Sequence, residues 1–267
     1  KVTGVQTCAL PILGSGSSGN ATLVEAQSGV HTTRLLIDCG VRLRDLEARL
    51  IEAGTCAEDL DAIFITHEHG DHIGCARSFV KRYSTPLWMS QGTWLAIGDD
   101  TWKSHTHLLN IASDSCTIEL GNMQALPFTV PHDAREPLQL RCSDGNRHLG
   151  IVTDLGHPSS HVVASLQGCH ALLLEANHDP DLLQASTYPR FLKQRVAGPW
   201  GHLANHAAAD LLKRVQHDQL NYVLAAHLSE RNNTPELARA SLSEALNCAP
   251  SEVSIADPVT GSAWVVV

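Results

Sequence analysis

At 267 residues, 43% of them apolar, the chain is long enough to bury a sizeable core, and its net charge of −9 excludes a generally basic surface of the kind that coats nucleic acid. No run approaches the roughly 18 uncharged apolar residues of a membrane-spanning helix, so no membrane partner is expected. The eight cysteines, at 8, 39, 56, 75, 116, 142, 169 and 248, form no C-x-x-C pair; they predict reduced thiols in a cytoplasmic protein rather than a zinc ribbon or a disulfide framework.

In chain order, residues 1–12 are too polar at their start for a signal peptide and carry Gly4 and Pro11 where a sheet protein needs a clean strand. They are expected to be a non-native or disordered start, with residues 13–267 forming one domain. Strand-like apolar runs follow at 22–26, 34–37, 62–66, 87–89, 116–120, 123–130, 149–153, 171–176, 222–226 and 263–267. Helical periodicity falls at 43–51, ending at Gly54, and at 72–82, 205–215 and 234–246, the last opened by a Thr234 cap and Pro235. Strands outnumber helices and come both in consecutive pairs and in strand–helix–strand alternation. That pattern predicts an α+β chain: an αββα sandwich of two mixed β-sheets flanked by helices.

Directly after the run at 62–66 stands His67-Glu68-His69-Gly70-Asp71-His72. Alternate residues of an extended segment point the same way, so His67 and His69 can face one ion, while a turn at Gly70 swings Asp71 and His72 toward a second. Neutral imidazoles with a carboxylate suit zinc. A close pair of metals needs about seven ligands, and further candidates stand at the ends of later apolar runs: His132, Asp154 and His227. Each alone is more often a satisfied structural residue; together they complete a set. Asp38, after Leu35-Leu36-Ile37, can orient a histidine from behind.

His67-x-His69-x-Asp71-His72, followed in order by His132, Asp154 and His227, resembles the metallo-β-lactamase superfamily from about residue 13 to the end. The segments 13–20, Leu36-Ile-Asp-Cys-Gly40, Pro131-His-Asp-Ala134, Asn177-His-Asp179, Gly201-His-Leu-Ala-Asn205 and 227–233 resemble its bacterial YycJ (WalJ) branch. The resemblance implies that His67, His69 and His132 bind one metal, that Asp71, His72 and His227 bind the other, and that Asp154 bridges them. Two divalent ions follow, zinc first and manganese as the alternative, with Asp71 and Asp154 counted among the catalytic residues.

A metal pair lowers the pKa of bound water toward 7, giving a hydroxide nucleophile at neutral pH, and leaves a positive site for an anionic phosphodiester within an acidic protein. His178 and His202 are the candidates for protonating a leaving group, since each lies in a short polar motif after a strand or beside a Gly turn; either can instead cap a loop. Backbone N–H groups in the Gly/Ser-rich loop 14–20 can approach a phosphate, with Ser17, Ser18 and Asn20 as candidate contacts; a plain turn between strands is the alternative. Ser229, Arg231 and Asn232 can hold a phosphate or a base. His105 and His107 are spaced like ligands but lie in a polar stretch with no strand to aim them, and His157, His161 and His206 read as loop or helix-surface residues.

The expected activity is therefore that of a metal-dependent phosphodiesterase or nuclease of the 5′-to-3′ exonuclease type, with nucleic acid or another phosphodiester as partner. The alternatives are a hydrolase of small substrates (a cyclic phosphodiester, thioester or lactam) on the same fold, and a non-catalytic scaffold, which an intact ligand set disfavours.

Overall fold

The structure, a computed structural model, describes residues 6–98, 102–258 and 260–267. Strands β1 (Gln6–Leu10), β2 (Ile12–Gly14), β3 (Ala21–Ser28), β4 (His31–Ile37), β5 (Ala62–Phe64), β6 (Leu87–Ser90) and β7 (Leu109–Ala112) build the first sheet. The second comprises β8 (Ile118–Leu120), β9 (Met123–Thr129), β10 (Leu138–Ser143), β11 (His148–Val152), β12 (Ala171–Glu175), β13 (Tyr222–Ala226) and β14 (Ser254–Ile255). The last strand, β15 (Val265–Val266), returns to the edge of the first sheet beside β1.

Both sheets are mixed in the same way. In the first, β1, β3 and β4 pair antiparallel, and β4 to β7 run parallel. In the second, β8 to β11 pair antiparallel, and β11 to β14 run parallel. Parallel neighbours need crossovers, and the helices supply them: α1 (Leu43–Glu52), α2 (Gly70–Ile73), α3 (Ala76–Tyr83) and α4 (Gln91–Ile97) serve the first sheet. The second sheet has α5 (Ser160–Leu166), α6 (Pro180–Ala185), α7 (Arg190–Val196), α8 (Asn205–Val215) and α9 (Pro235–Leu246).

The alternation of side chains sorts the core into layers. Leu35, Ile37 and Phe64 of the first sheet meet Leu140, Ile151 and Leu173 of the second between the sheets. Leu36, Ile63 and Ile65 point the other way, onto Leu46, Leu50 and Phe79 of the helices. On the far side Leu172 and Leu174 pack against Val162, Leu211 and Leu242. Strands covered on both faces must be apolar on both, which is why residues 171–174 read as one unbroken apolar run. The arrangement is the expected αββα sandwich.

Several local expectations are corrected. Residues 6–10, expected within a non-native or disordered start, are ordered as β1, paired on both sides by β3 and β15; Pro11 merely separates it from β2. The part of that start at residues 1–5 lies outside the described residues. The single helix expected over 72–82 divides at Gly74 (φ 15°, ψ −97°), where the chain passes so close to Cys39 that a Cβ would sit 2.6 Å from its carbonyl oxygen. Strand β10 escaped an apolar-run reading because Gln139, Arg141 and Ser143 alternate with Leu138, Leu140 and Cys142, the period-2 pattern of a strand. No helix of the described residues is long and apolar enough to cross a membrane.

Candidate metal centre

The parallel strands of both sheets end at one rim, and the polar residues follow them. Asp38 leaves β4, the turn from His67 to His72 leaves β5, Asp154 leaves β11, Glu175 closes β12 and His227 leaves β13. His132 follows β9. Asp38, Asp154 and His227 have φ of 63°, 53° and 55°, a left-handed conformation costing a non-glycine residue about 1 kcal/mol or more. It bends the chain sharply as each strand ends, at the point where its side chain joins the cluster.

The groups converge on Asp154. One of its carboxylate oxygens lies 3.1 Å from His72 Nε2; the other lies 3.7 Å from His132 Nε2, 3.5 Å from His227 Nδ1 and 3.6 Å from His202 Nδ1. Asp71 stands 3.6 Å from His72 Nε2 and 3.9 Å from His227 Nε2. His132 Nε2 is 3.3 Å from His69 Nδ1, and the His67 ring is 4.9 Å from that of His132. His67, His69 and His132 thus form one group with potential ligand atoms within 4.8 Å of one another; Asp71, His72 and His227 form a second, and Asp154 joins His67 and His72 in a third.

Hydrogen bonds behind the cluster set which ring nitrogen faces inward. Asp38 accepts from His72 Nδ1 at 2.8 Å and is itself fixed by the backbone N–H and hydroxyl of Thr66. The Gly201 carbonyl accepts from His132 Nδ1 at 3.0 Å, and Glu175 from His227 Nδ1 at 2.8 Å. With Nδ1 turned outward on all three rings, the inward nitrogens of His72, His132 and His227 face the carboxylates of Asp154 and Asp71, and without a shared cation, a proton or a metal ion, acceptor would stand against acceptor. His67 Nε2 and Asp154 Oδ2 are buried with no hydrogen-bond partner among the described residues. Buried polar groups are almost always satisfied, so facing acceptors and orphaned atoms in one cluster mark a place that fits a cation.

The electrostatics agree. Burial by itself would push His227 down, but Asp154, Asp71 and Glu175 outweigh it and push its pKa up to about 10. Burial likewise disfavours charged His72, yet Asp154 and Asp38 hold it well above the ordinary imidazole value. Burial would raise Asp154; the surrounding imidazoles, His227 and His72 foremost, hold it well below the usual carboxylate range. Positive charge is stabilised at this point of the molecule. His67 is driven well down by burial, with neighbouring His72 adding to it, and burial lowers His132 as well, which keeps these rings neutral and able to donate a lone pair.

The chain matches the beta-lactamase superfamily domain over residues 33–223. With this αββα sandwich and this site, it belongs to the metallo-β-lactamase superfamily and is a metal-dependent hydrolase. Among its curated relatives, exodeoxyribonuclease YycJ of Bacillus anthracis is 33% identical over 235 residues, covering 88% of each chain. Exodeoxyribonuclease WalJ of Streptococcus pneumoniae is 32% identical over 236 residues, 86% of this chain and 85% of that one. The metallo-β-lactamase fold protein YhfI from Bacillus subtilis superposes with a TM-score of 0.71 at 17% identity, over 98% of this chain and all of the other.

The remaining expected residues separate. His202, Ser17, Ser229 and Asn232 line a cavity of about 410 Å³ at the cluster, together with Asp71 and Asp154. Asn20 points at the cluster from behind: its side-chain amide donates to the Asp71 carbonyl at 3.2 Å and lies 3.1 Å from His72 Nε2. Ser18 and Arg231 are exposed and line none of the cavities described here. His178 lies in an adjoining cavity. His107 is exposed and His105 half-buried on one short helical turn, His161 pairs with Asp114, and His157 with the Pro199 carbonyl.

Sequence reading missed Glu175, which is fully buried and bonds both His202 (2.9 Å) and His227. Its pKa is pulled down to about 2 because those two imidazoles overcome the effect of burial. A lone carboxylate ending the apolar strand Ala171–Glu175 is the signal that singled out Asp38 and Asp154, and it applied here too. Also missed was Arg195, which lines the mouth and pairs with Asp133.

Proposed function

We propose that the chain is a two-metal phosphodiesterase acting on DNA as a 5′-to-3′ exonuclease. The observation that carries the reading is the convergence of six imidazole and carboxylate groups on Asp154 or its immediate neighbours, within a cavity open to substrate. His67, His69 and His132 would hold one ion and Asp71, His72 and His227 the other, with Asp154 between them; zinc suits this donor set, and manganese is the alternative. Bound there, divalent ions would supply Lewis acidity for water and for a phosphoryl oxygen. The names of the YycJ and WalJ relatives support the choice of DNA.

The chain's own residues do the rest. Glu175 and Asp38 hold His227 and His72 in the tautomers that aim a lone pair inward. His202, with Nδ1 on Glu175, keeps its Nε2 free to protonate a departing oxygen, so it takes the role of general acid. Ser17, Ser229 and Asn232 offer hydrogen bonds along the wall. We read the chain as one domain that includes β1 from Gln6 onward, and the eight free thiols support a cytoplasmic setting.

The test is to incubate metal-loaded protein with 5′- and 3′-end-labelled duplex DNA and RNA, beside bis(p-nitrophenyl) phosphate and a thioester. Release of labelled mononucleotide from the 5′ end of DNA is expected. Turnover of the thioester alone would replace this reading with a small-molecule hydrolase.

A further inference from the structure

Beside the metal cavity lies a larger one of about 910 Å³, within the ordinary size of a small-ligand site. Tyr188 and His202 line both cavities. Helix α7 is the partition between them: Leu192, Arg195 and Val196 face the metal side, while Arg190, Lys193 and Gln194 face the other. The wall is cationic for a local reason. Between Asp181 and Asp210 the sequence has no carboxylate side chain, in a protein of net charge −9, and it carries Arg190, Lys193 and Arg195. Arg195 is neutralised by Asp133, whereas Arg190 and Lys193 have no ion pair among the described residues, the Lys193 ammonium being held on the wall by the Gln184 carbonyl.

A second observation points to a ligand. His178 also lines this cavity, is 2% exposed, and its Nδ1 is buried without a hydrogen-bond partner. Nothing in the metal cluster uses it. Burial holds its pKa down at about 4, so the ring is neutral at working pH and offers one N–H donor. An unmet imidazole at the floor, two cations on the wall and His206 at the rim are what a phosphate dianion or diester requires, and the shared Tyr188–His202 boundary sets it next to the reacting group.

We propose that this adjoining cavity, through Arg190, Lys193 and His178, binds a second phosphate of the substrate, one nucleotide removed from the bond being cut. The proposal rests on the phosphodiesterase reading above and deepens it: the enzyme prefers chains with a neighbouring phosphate over isolated diesters.

Two measurements separate this subsite from the nuclease reading. In the first, hydrolysis of bis(p-nitrophenyl) phosphate by the metal-loaded enzyme is inhibited by adenosine 3′,5′-bisphosphate or by adenosine 5′-monophosphate. The bisphosphate is expected to inhibit about tenfold more strongly, the size of one good charge-assisted contact, and the gap should close in the Arg190→Ala/Lys193→Ala double variant and narrow in His178→Gln. Uninhibited turnover of bis(p-nitrophenyl) phosphate should stay within about twofold of the parent, which shows that the double variant is folded. In the second, the dinucleotide NpN is compared with pNpN and NpNp. One of the phosphorylated forms should have about tenfold higher kcat/KM, and the double variant should lose that advantage. Equal inhibition by the two nucleotides, or a gap that survives the double variant, overturns the subsite. If no dinucleotide is cut while the inhibition gap behaves as described, the nuclease reading fails and the subsite stands.

Discussion

At the end of β5 one turn supplies four potential ligands within six residues, whereas the second sheet supplies His132, Asp154 and His227 singly, from the ends of three strands. The turn is held as a unit by backbone bonds, Asn20 N–H to the Asp71 carbonyl at 2.8 Å and Cys39 N–H to the His72 carbonyl at 2.7 Å, and by the Thr66 N–H donating to the Asp38 carboxylate. The second sheet relies instead on a side chain: Glu175 holds His202 and His227 and accepts from the N–H of Leu155, beside Asp154. His132 depends on the Gly201 carbonyl, 69 residues away, and His227 on Glu175, 52 residues away. A local turn fixes several candidate ligands with one backbone conformation, while remote ones depend on groups brought in from elsewhere in the chain. The second sheet's half should therefore be the more sensitive to single changes in supporting side chains.

The largest effect should come from the group both halves share. Asp154→Asn keeps the shape but removes the charge that faces His72, His132 and His227; hydrolysis of bis(p-nitrophenyl) phosphate should fall at least ~10³-fold, with lost metal measured by elemental analysis. Unchanged metal content would break the scheme.

Next comes the supporting side chain that serves two histidines. Glu175→Gln leaves His202 and His227 without their carboxylate, and metal affinity or activity should drop about 10- to 100-fold. Asp38→Asn, which loosens one histidine of a turn otherwise held by its backbone, should fall at the lower end of that range. Equal losses would erase the contrast between the halves.

The turn should instead be vulnerable through its backbone. A Cβ at Gly40 would meet the Asp71 carbonyl oxygen at 1.7 Å, so Gly40→Ala should destabilise the fold by ~2–4 kcal/mol, read as a lower unfolding midpoint. At Gly54, where nothing lies within 4 Å, only the cost of the positive φ of 84° remains, and Gly54→Ala should lose about 1 kcal/mol.

The last expected effect is on pH. His178 titrates at about 4 in the folded chain and near 6.5 unfolded, so the unfolded state takes up its proton first. Its contribution is fully present above pH 6.5 and is lost as pH falls toward 4, on the order of 3 kcal/mol. His178→Gln should flatten the wild-type fall in unfolding midpoint across that window; an identical slope would show that the ring is solvated.

The sequence by itself determined the sandwich and pointed to the candidate ligand set, because both are written in short-range patterns. Apolar runs at strand length mark strands covered on both faces, and a polar residue that ends such a run has nowhere to go but the sheet rim. The His67–His72 turn was legible for the same reason. What only the tertiary structure decided were the supports and the walls. Glu175 reads as an ordinary strand-terminal acid until β13 and the loop carrying His202 bring two imidazoles onto it. His178 and His202 look equivalent along the chain, and α7 then puts His178 in one cavity while His202 borders both. Such assignments depend on distances between segments far apart in the chain, and those are fixed by the packing of helices on a sheet rather than by any local pattern.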